Sequence, residues 1–285
     1  MASELFFVHD TLQVDTVDVQ LQSVILGLSS LEGNIWGGEL HYFPCLSELH
    51  VNERTVLTFN CGISTARFSR GGELIAVACD DGNLAIFSGK KSLEGCGSIS
   101  CHDDIISSIA FPSCNNSYIG TVGWDGNIKV LDLQSKAPGI SPIYSNEYLD
   151  CILNDINFSE INSSVFATVG QDGFIRTWDM RVADVCNLIS NLGQTSGCVL
   201  WDPLDEFGVL VGLDDGSIRY YDTRFFATPL IEQRIHHSRI RRLRLFDRGS
   251  GDFTIVSVSE DTSCAVLGRT LKGSPLDCIA SPTVM

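Results

Sequence analysis

The stretch Phe166-Ala-Thr-Val-Gly-Gln-Asp172-Gly-Phe-Ile-Arg-Thr-Trp178-Asp179 decides the fold. An apolar run meets an Asp-Gly pair and resumes as an alternating run. Asp-Gly accepts the positive φ angles of a tight hairpin, and alternation puts successive side chains on opposite faces of a strand. The stretch therefore reads as two antiparallel strands joined by a short turn. The pattern recurs at Ile75–Phe87, Ile119–Asp132 and Leu210–Asp222, and more weakly at Ile255–Leu267. An atypical first copy runs from Val24 through Gly37-Gly38 to Phe43. The turn aspartates Asp81, Asp125, Asp172, Asp215 and Asp261 follow one another at intervals of 44, 47, 43 and 46 residues.

A period near 45 residues, built of strands and turns with no sustained helical pattern, predicts a β-propeller and not a helical solenoid. The fold class is all-β with six blades visible and a seventh missing or fragmentary. We read 1–285 as a single domain. Residues 1–12 would supply a closing strand, with Leu5–Val8 as its center, and 268–285 read as an irregular tail. In the third blade the predicted strands are an outer one near Leu93–Ser100, an inner one at Ile105–Phe111, a middle one at Tyr118–Val122 and a fourth at Ile128–Asp132.

Trp178-Asp179 ends a strand, and Leu131-Asp132 and Tyr221-Asp222 stand at the same place in their copies. These residues resemble the WD repeat, in which a loop His, a strand Ser or Thr, a turn Asp and a strand Trp form one polar network per blade. No copy holds all four. His102, Thr121 and Asp125 meet Leu131 in place of Trp, and Asp172 and Trp178 lack an evident His. Asp215 and Asp222 mark the fifth copy. In the sixth, His236 or His237 joins Ser257 and Asp261, with Leu267 in place of Trp.

The chain carries 35 acidic and 19 basic residues, a net charge of −16, which disfavors a general nucleic-acid binder and suits cationic protein partners. Hydrophobic residues make up 44%, enough for a large core. The eleven cysteines show no C-x-x-C spacing and read as free thiols of a reduced compartment, so no zinc site is expected. The N-terminal segment lacks the basic and apolar regions of a signal peptide, and no apolar stretch has the length of a membrane span. The sequons at Asn115, Asn157 and Asn162 are then expected to stay unmodified.

Catalytic motifs are missing. There is no H-E-x-x-H or G-x-S-x-G, and Gly89-Lys-Lys-Ser92 and Gly95-Cys-Gly97 are only fragments of phosphate-binding loops. The turn carboxylates recur once per copy and read as caps, not acid–base pairs. No catalytic residue, cofactor or metal is expected. Asp80-Asp81, Asp103-Asp104 and Asp214-Asp215 read as solvated turns able to attract basic tails. The basic run Arg239-Ile-Arg-Arg-Leu-Arg244 reads as a strand face neutralized by carboxylates, and Trp201 as core. Trp36, in Gly33-Asn-Ile-Trp36-Gly-Gly38, reads from its residues either as a loop anchor for a partner or as a ring packed between blades.

Three segments carry a finer resemblance: Leu26–Leu40, His102–Ser108 and Ser257–Leu267. Over roughly residues 20–267 the chain is similar to the WD-repeat subunit of the methylosome, the methylosome protein fifty family. The resemblance implies a non-catalytic adaptor, cytoplasmic and nuclear, in a hetero-oligomer with a type II protein arginine methyltransferase. It would help present Arg-rich substrates such as histone and Sm protein tails. Trp36, with Asn34 and Ile35 beside it, would be the segment inserted into the enzyme. The family closes with a seventh blade, whose sequence is absent here after Leu267. A second adaptor reading comes from Trp178-Asp-Met-Arg181 and Tyr221-Asp-Thr-Arg224, which resemble the W-D-x-R ending of substrate receptors of cullin-type ubiquitin ligases.

Overall fold

The computed structural model describes residues 12–32, 35–45, 54–89, 93–113, 117–134, 142–146, 149–182, 186–247, 252–269 and 277–284. Among them lie twenty-four strands in six four-stranded sheets, and no helix. The first sheet holds β1 (Gln13–Gln20), β2 (Ser23–Glu32), β3 (Ile35–Phe43) and β4 (Thr55–Phe59). The second holds β5 (Ile63–Phe68), β6 (Leu74–Cys79), β7 (Asn83–Ser88) and β8 (Glu94–Ser100), and the third β9 (Ile106–Ala110), β10 (Tyr118–Gly123), β11 (Ile128–Asp132) and β12 (Pro142–Asn146). The fourth holds β13 (Leu153–Phe158), β14 (Val165–Gly170), β15 (Phe174–Asp179) and β16 (Cys186–Asn191). The fifth holds β17 (Ser196–Trp201), β18 (Gly208–Leu213), β19 (Ser217–Asp222) and β20 (Ile231–Arg234), and the sixth β21 (Ile240–Asp247), β22 (Phe253–Ser259), β23 (Ser263–Arg269) and β24 (Asp277–Val284). Each sheet is an antiparallel meander in chain order, and the six are the blades of a β-propeller. The chain divides into two compact units, residues 1–109 with 137–140, and residues 110–136 with 141–285.

The predicted hairpins form. Gly82, Gly126, Gly173 and Gly216 take φ of 78°, 75°, 73° and 85°, the left-handed region that Asp-Gly turns need. In the sixth sheet Thr262 holds that place at φ 64°, a strained position for a β-branched residue. The side chain of Asp261 stabilizes the turn, accepting from the Ser263 N–H at 3.0 Å. The second strands β6, β10, β14 and β18 are buried almost throughout, which their unbroken apolar runs require. The outer strand β8 is exposed, and its register with β7 shifts between Ile86 and Phe87, an irregularity of the kind that blunts an edge against pairing with another chain.

In the first unit, Ile25, Leu40, Ile63, Phe68, Ile75 and Val77 form one apolar cluster. In the second, three clusters join the third sheet to the fourth, the fourth to the fifth and the fifth to the sixth, centered on Phe166 and Trp178, on Trp201 and Tyr221, and on Tyr220, Ile240 and Leu267.

Three expectations are corrected. Residues 94–100 do not open the third sheet: β8 pairs with β7, from Asn83↔Ser100 to Ser88↔Glu94, so the strand belongs to the second sheet. Strands joined by a short turn pair with each other, and the sequence copy is therefore displaced from the sheet by one strand. By the same shift Trp178-Asp179 ends a third strand, β15, not a fourth. Secondly, the stretch read as an irregular tail holds a strand, because β24 pairs with β23 and completes the sixth sheet. The segment has no strand–Asp-Gly–strand pattern of its own, which hid this strand; its Pro282 sits on the outer strand, where the register shifts and no ladder N–H is needed. Thirdly, the first hairpin does not turn at Gly37-Gly38. Its register runs out to Glu32↔Ile35, and both glycines lie within β3. Gly38 is needed for close approach, since a Cβ there would lie 2.6 Å from the Cys61 carbonyl oxygen. The candidate closing strand Leu5–Val8 lies outside the described residues.

Candidate interaction site

The hairpin of β2 and β3 brings Leu31 directly opposite Trp36. Both are exposed, Leu31 at 59% and Trp36 at 45%. Trp36 is thus on a strand and not on the loop expected for it. The indole Nε1–H donates to Asp80 Oδ2 at 2.7 Å, and the Asp80 N–H donates to the Gly62 carbonyl at 3.0 Å. Gly62 lies beneath this contact: a Cβ there would overlap both the Asp80 carboxylate and the Trp36 indole nitrogen. The ring is therefore fixed at one edge, while much of the residue faces solvent. Fixing an aromatic before contact lowers the entropy lost when a partner covers it. Ile35 is in β3, next to Trp36; Asn34 lies outside the described residues.

The repeat residues form a polar frame that varies from sheet to sheet. In the fourth, Trp178 Nε1 donates to Thr168 Oγ1 at 2.8 Å, and the Trp178 ring stacks on Phe166 at 6.4 Å between centroids. Asp172 accepts from Arg176 Nη2 and from the Phe174 N–H. Cys151, two residues before β13, bonds to Asp172, whereas register puts Leu149 at the place His236 holds in the sixth sheet. Burial and the neighboring carboxylate push the Cys151 thiol up to about 12. Burial also pushes Asp172 up, but the Arg176 and Phe174 donors outweigh it and leave the carboxyl below its usual range.

In the fifth sheet Gln194 takes the corresponding role beside Asp215, which also accepts from Ser217. In the sixth, the imidazole is His236: it pairs with Ser257 Oγ through Nε2 and with Ser263 Oγ through Nδ1, each at 2.7 Å. Asp261 accepts the neighboring His237 N–H at 2.7 Å. Leu267 pairs with Ile255 as Trp178 pairs with Phe166, so it holds the equivalent place. In the third sheet, Thr121 Oγ1 donates to the Lys129 carbonyl and Asp125 caps its turn through Asn127. His102 is buried.

Asp179 and Asp222 each accept a forked pair of bonds from the arginine two residues on, Arg181 and Arg224. The guanidinium bond holds both carboxyls below their ordinary range. The basic run is neutralized as expected, by Arg239–Asp214 at 3.1 Å, Arg241–Glu260 at 2.7 Å and Arg242–Asp155 at 3.4 Å. Trp201 is core, with its indole N–H on the Glu206 carbonyl. The expected free thiols hold for the described Cys45, Cys61, Cys79, Cys96, Cys101, Cys151, Cys198 and Cys264.

Spacing gave no hint of one cluster. Cys61, Cys79 and Asp81 place their ligand atoms within 4.8 Å of one another. The pairing of β5 with β6 sets Ile63 against Cys79, and only this pairing draws together cysteines eighteen positions apart. Nor did the sequence point to Asp80 as the mount of Trp36.

Residues 94–132 match the family model of the WD domain, G-beta repeat. The match runs from β8 to β11, so the sequence repeat takes one strand from the second sheet and three from the third. The propeller is of the WD type. A search of the curated proteins finds no match. No helix among the described residues is long and apolar enough to cross a membrane.

Proposed function

We propose that this chain is the adaptor subunit of an arginine methyltransferase complex, docking on a type II enzyme and helping to present Arg-rich tails such as those of histones and Sm proteins. A WD-repeat propeller is a protein-interaction scaffold, and such propellers are generally non-catalytic. The observation that carries the finer reading is Trp36. It is exposed, opposed by exposed Leu31 and fixed by Asp80, in the segment that resembles the enzyme-binding hairpin of the methylosome subunit. Tryptophans so placed are common interface hot spots. The net charge of −16 would speed encounter with cationic tails and make on-rates sensitive to salt. The methyl donor and reacting groups would belong to the partner, and the complex would work in cytoplasm and nucleus.

Co-purification of the tagged chain, with identification of the bound protein, tests this. Recovery of the methyltransferase is expected. Trp36→Ala should weaken that binding by at least ~2 kcal/mol, about 30-fold in Kd, without loss of fold. A second adaptor reading rests on Arg181 and Arg224, which stand exposed at two W-D-x-R-type endings. Capture of a ubiquitin-ligase adaptor with no methyltransferase would favor it and sink the first.

A further inference from the structure

Within the first unit, the turn of the second sheet differs from its counterparts by one side chain. Two residues before the first strand stand Cys61, Cys151 and Gln194 in the second, fourth and fifth sheets, each bonded to its turn aspartate, Asp81, Asp172 or Asp215. The residue facing the start of that strand is Cys79 in the second sheet. Register puts Gly170, Leu213 and Ser259 at that place in the fourth, fifth and sixth. Only the second sheet of these four therefore sets two thiols beside the turn carboxylate.

We propose that Cys61, Cys79 and Asp81 bind a thiophilic divalent cation of the zinc class, leaving one coordination position open to the adjoining cavity. Two sulfurs and a carboxylate oxygen make a donor set that zinc accepts in tetrahedral geometry, and hard cations such as magnesium do not favor it. The cavity, about 460 Å³ and walled in part by Phe59, Phe87 and Gly97, leaves room there for water or another small fourth ligand. Second contacts hold the donors in place. Asp81 is fixed by the backbone N–H and side-chain amide of Asn83 at 3.1 and 2.7 Å. The Asp80 N–H bond to the Gly62 carbonyl ties the two cysteine-bearing segments together. Such outer contacts orient metal ligands. A metal takes its sulfur ligands as thiolates, so each thiol gives up its proton on binding. Binding then forms two metal–sulfur bonds and releases two protons to solvent. The site is independent of the adaptor reading.

The test uses the full chain, kept reduced, stripped with a strong chelator and titrated with cobalt(II), then with zinc(II). One cobalt per chain is expected, with thiolate-to-cobalt charge-transfer absorption, release of two protons and displacement by zinc. Cys61→Ser and Cys79→Ser should abolish the band, and Asp81→Asn, which keeps the turn cap, should weaken binding. Cys151→Ser should leave it intact. Circular dichroism checks that each variant is folded; if Cys79→Ser is not, half-buried Cys61 and exposed Asp81 decide the matter. Folded wild-type chain that gives no thiolate band would overturn the proposal. So would a band that survives Cys61→Ser, or one lost equally in Cys151→Ser. Failure of the chain to bind a methyltransferase would leave these readouts unchanged.

Discussion

Trp36 and Trp178 satisfy the same demand in opposite surroundings. Each donates its indole N–H to a side-chain oxygen, Trp36 to Asp80 at 2.7 Å and Trp178 to Thr168 at 2.8 Å. Trp178 is 2% exposed and stacked on Phe166; Trp36 is 45% exposed. A bonded indole is therefore no sign of a structural role, and what surrounds the ring separates architecture from contact surface. For Trp178 the bond is obligatory, since a buried N–H without a partner carries its full desolvation cost. For Trp36 water could replace Asp80, so the bond acts chiefly to orient the ring.

The largest expected effect tests that contrast directly. Trp178→Ala should cost ~3–5 kcal/mol in urea unfolding, the range for deleting a large buried aromatic. Trp36→Ala should stay within about 0.5 kcal/mol, as exposed substitutions do. Equal losses would erase the distinction. Thr168→Val keeps the shape of the side chain but strands the Trp178 N–H, at a cost of ~1–3 kcal/mol. Asp80→Ala should lose much less stability and show up as reduced partner affinity.

Acid sharpens the comparison further. Burial outweighs the pull of Asp261 and holds His236 below its ordinary value of 6.5. Below 6.5 the unfolded chain takes up a proton that the native sheet refuses. The stabilization is therefore complete above that pH and drains away as pH falls through the native value. The fourth sheet has no buried imidazole among its described residues, and its lowered Asp172 adds a stabilization that persists until pH falls below 3.8. Amide protection factors, which correct for the slower intrinsic exchange in acid, should thus fall in β21–β23 before β13–β15 between pH 6.5 and 4. Simultaneous loosening would contradict this assignment.

Much of the architecture was legible because the Asp-Gly turns announce themselves. A left-handed residue is demanded once per copy, and Gly82, Gly126, Gly173 and Gly216 supply it. The sheet boundaries were not legible, since a repeat in sequence does not say which neighbor its first strand will pair with. Strand β24 was hidden because its segment has no Asp-Gly hairpin of its own and pairs back onto the preceding copy. The sixth-sheet imidazole was narrowed to two neighbors, and it took burial to select His236. Trp36 was singled out, but not the Asp80 that mounts it, because 44 residues separate a donor and acceptor joined only by folding. The Cys61–Cys79 pair escaped for the same reason.

The one-strand offset between repeat and sheet has a consequence for how such a chain can grow. The segment from β12 to β15 gives its first strand to one sheet and its other three to the next. A copy of that segment set beside the original hands its first strand to β13–β15 and takes β16 to complete its own three strands, so each added piece is finished by its neighbors. The unit that heredity can duplicate is thus not the unit that folds, and like roof shingles each piece holds only because it overlaps the next.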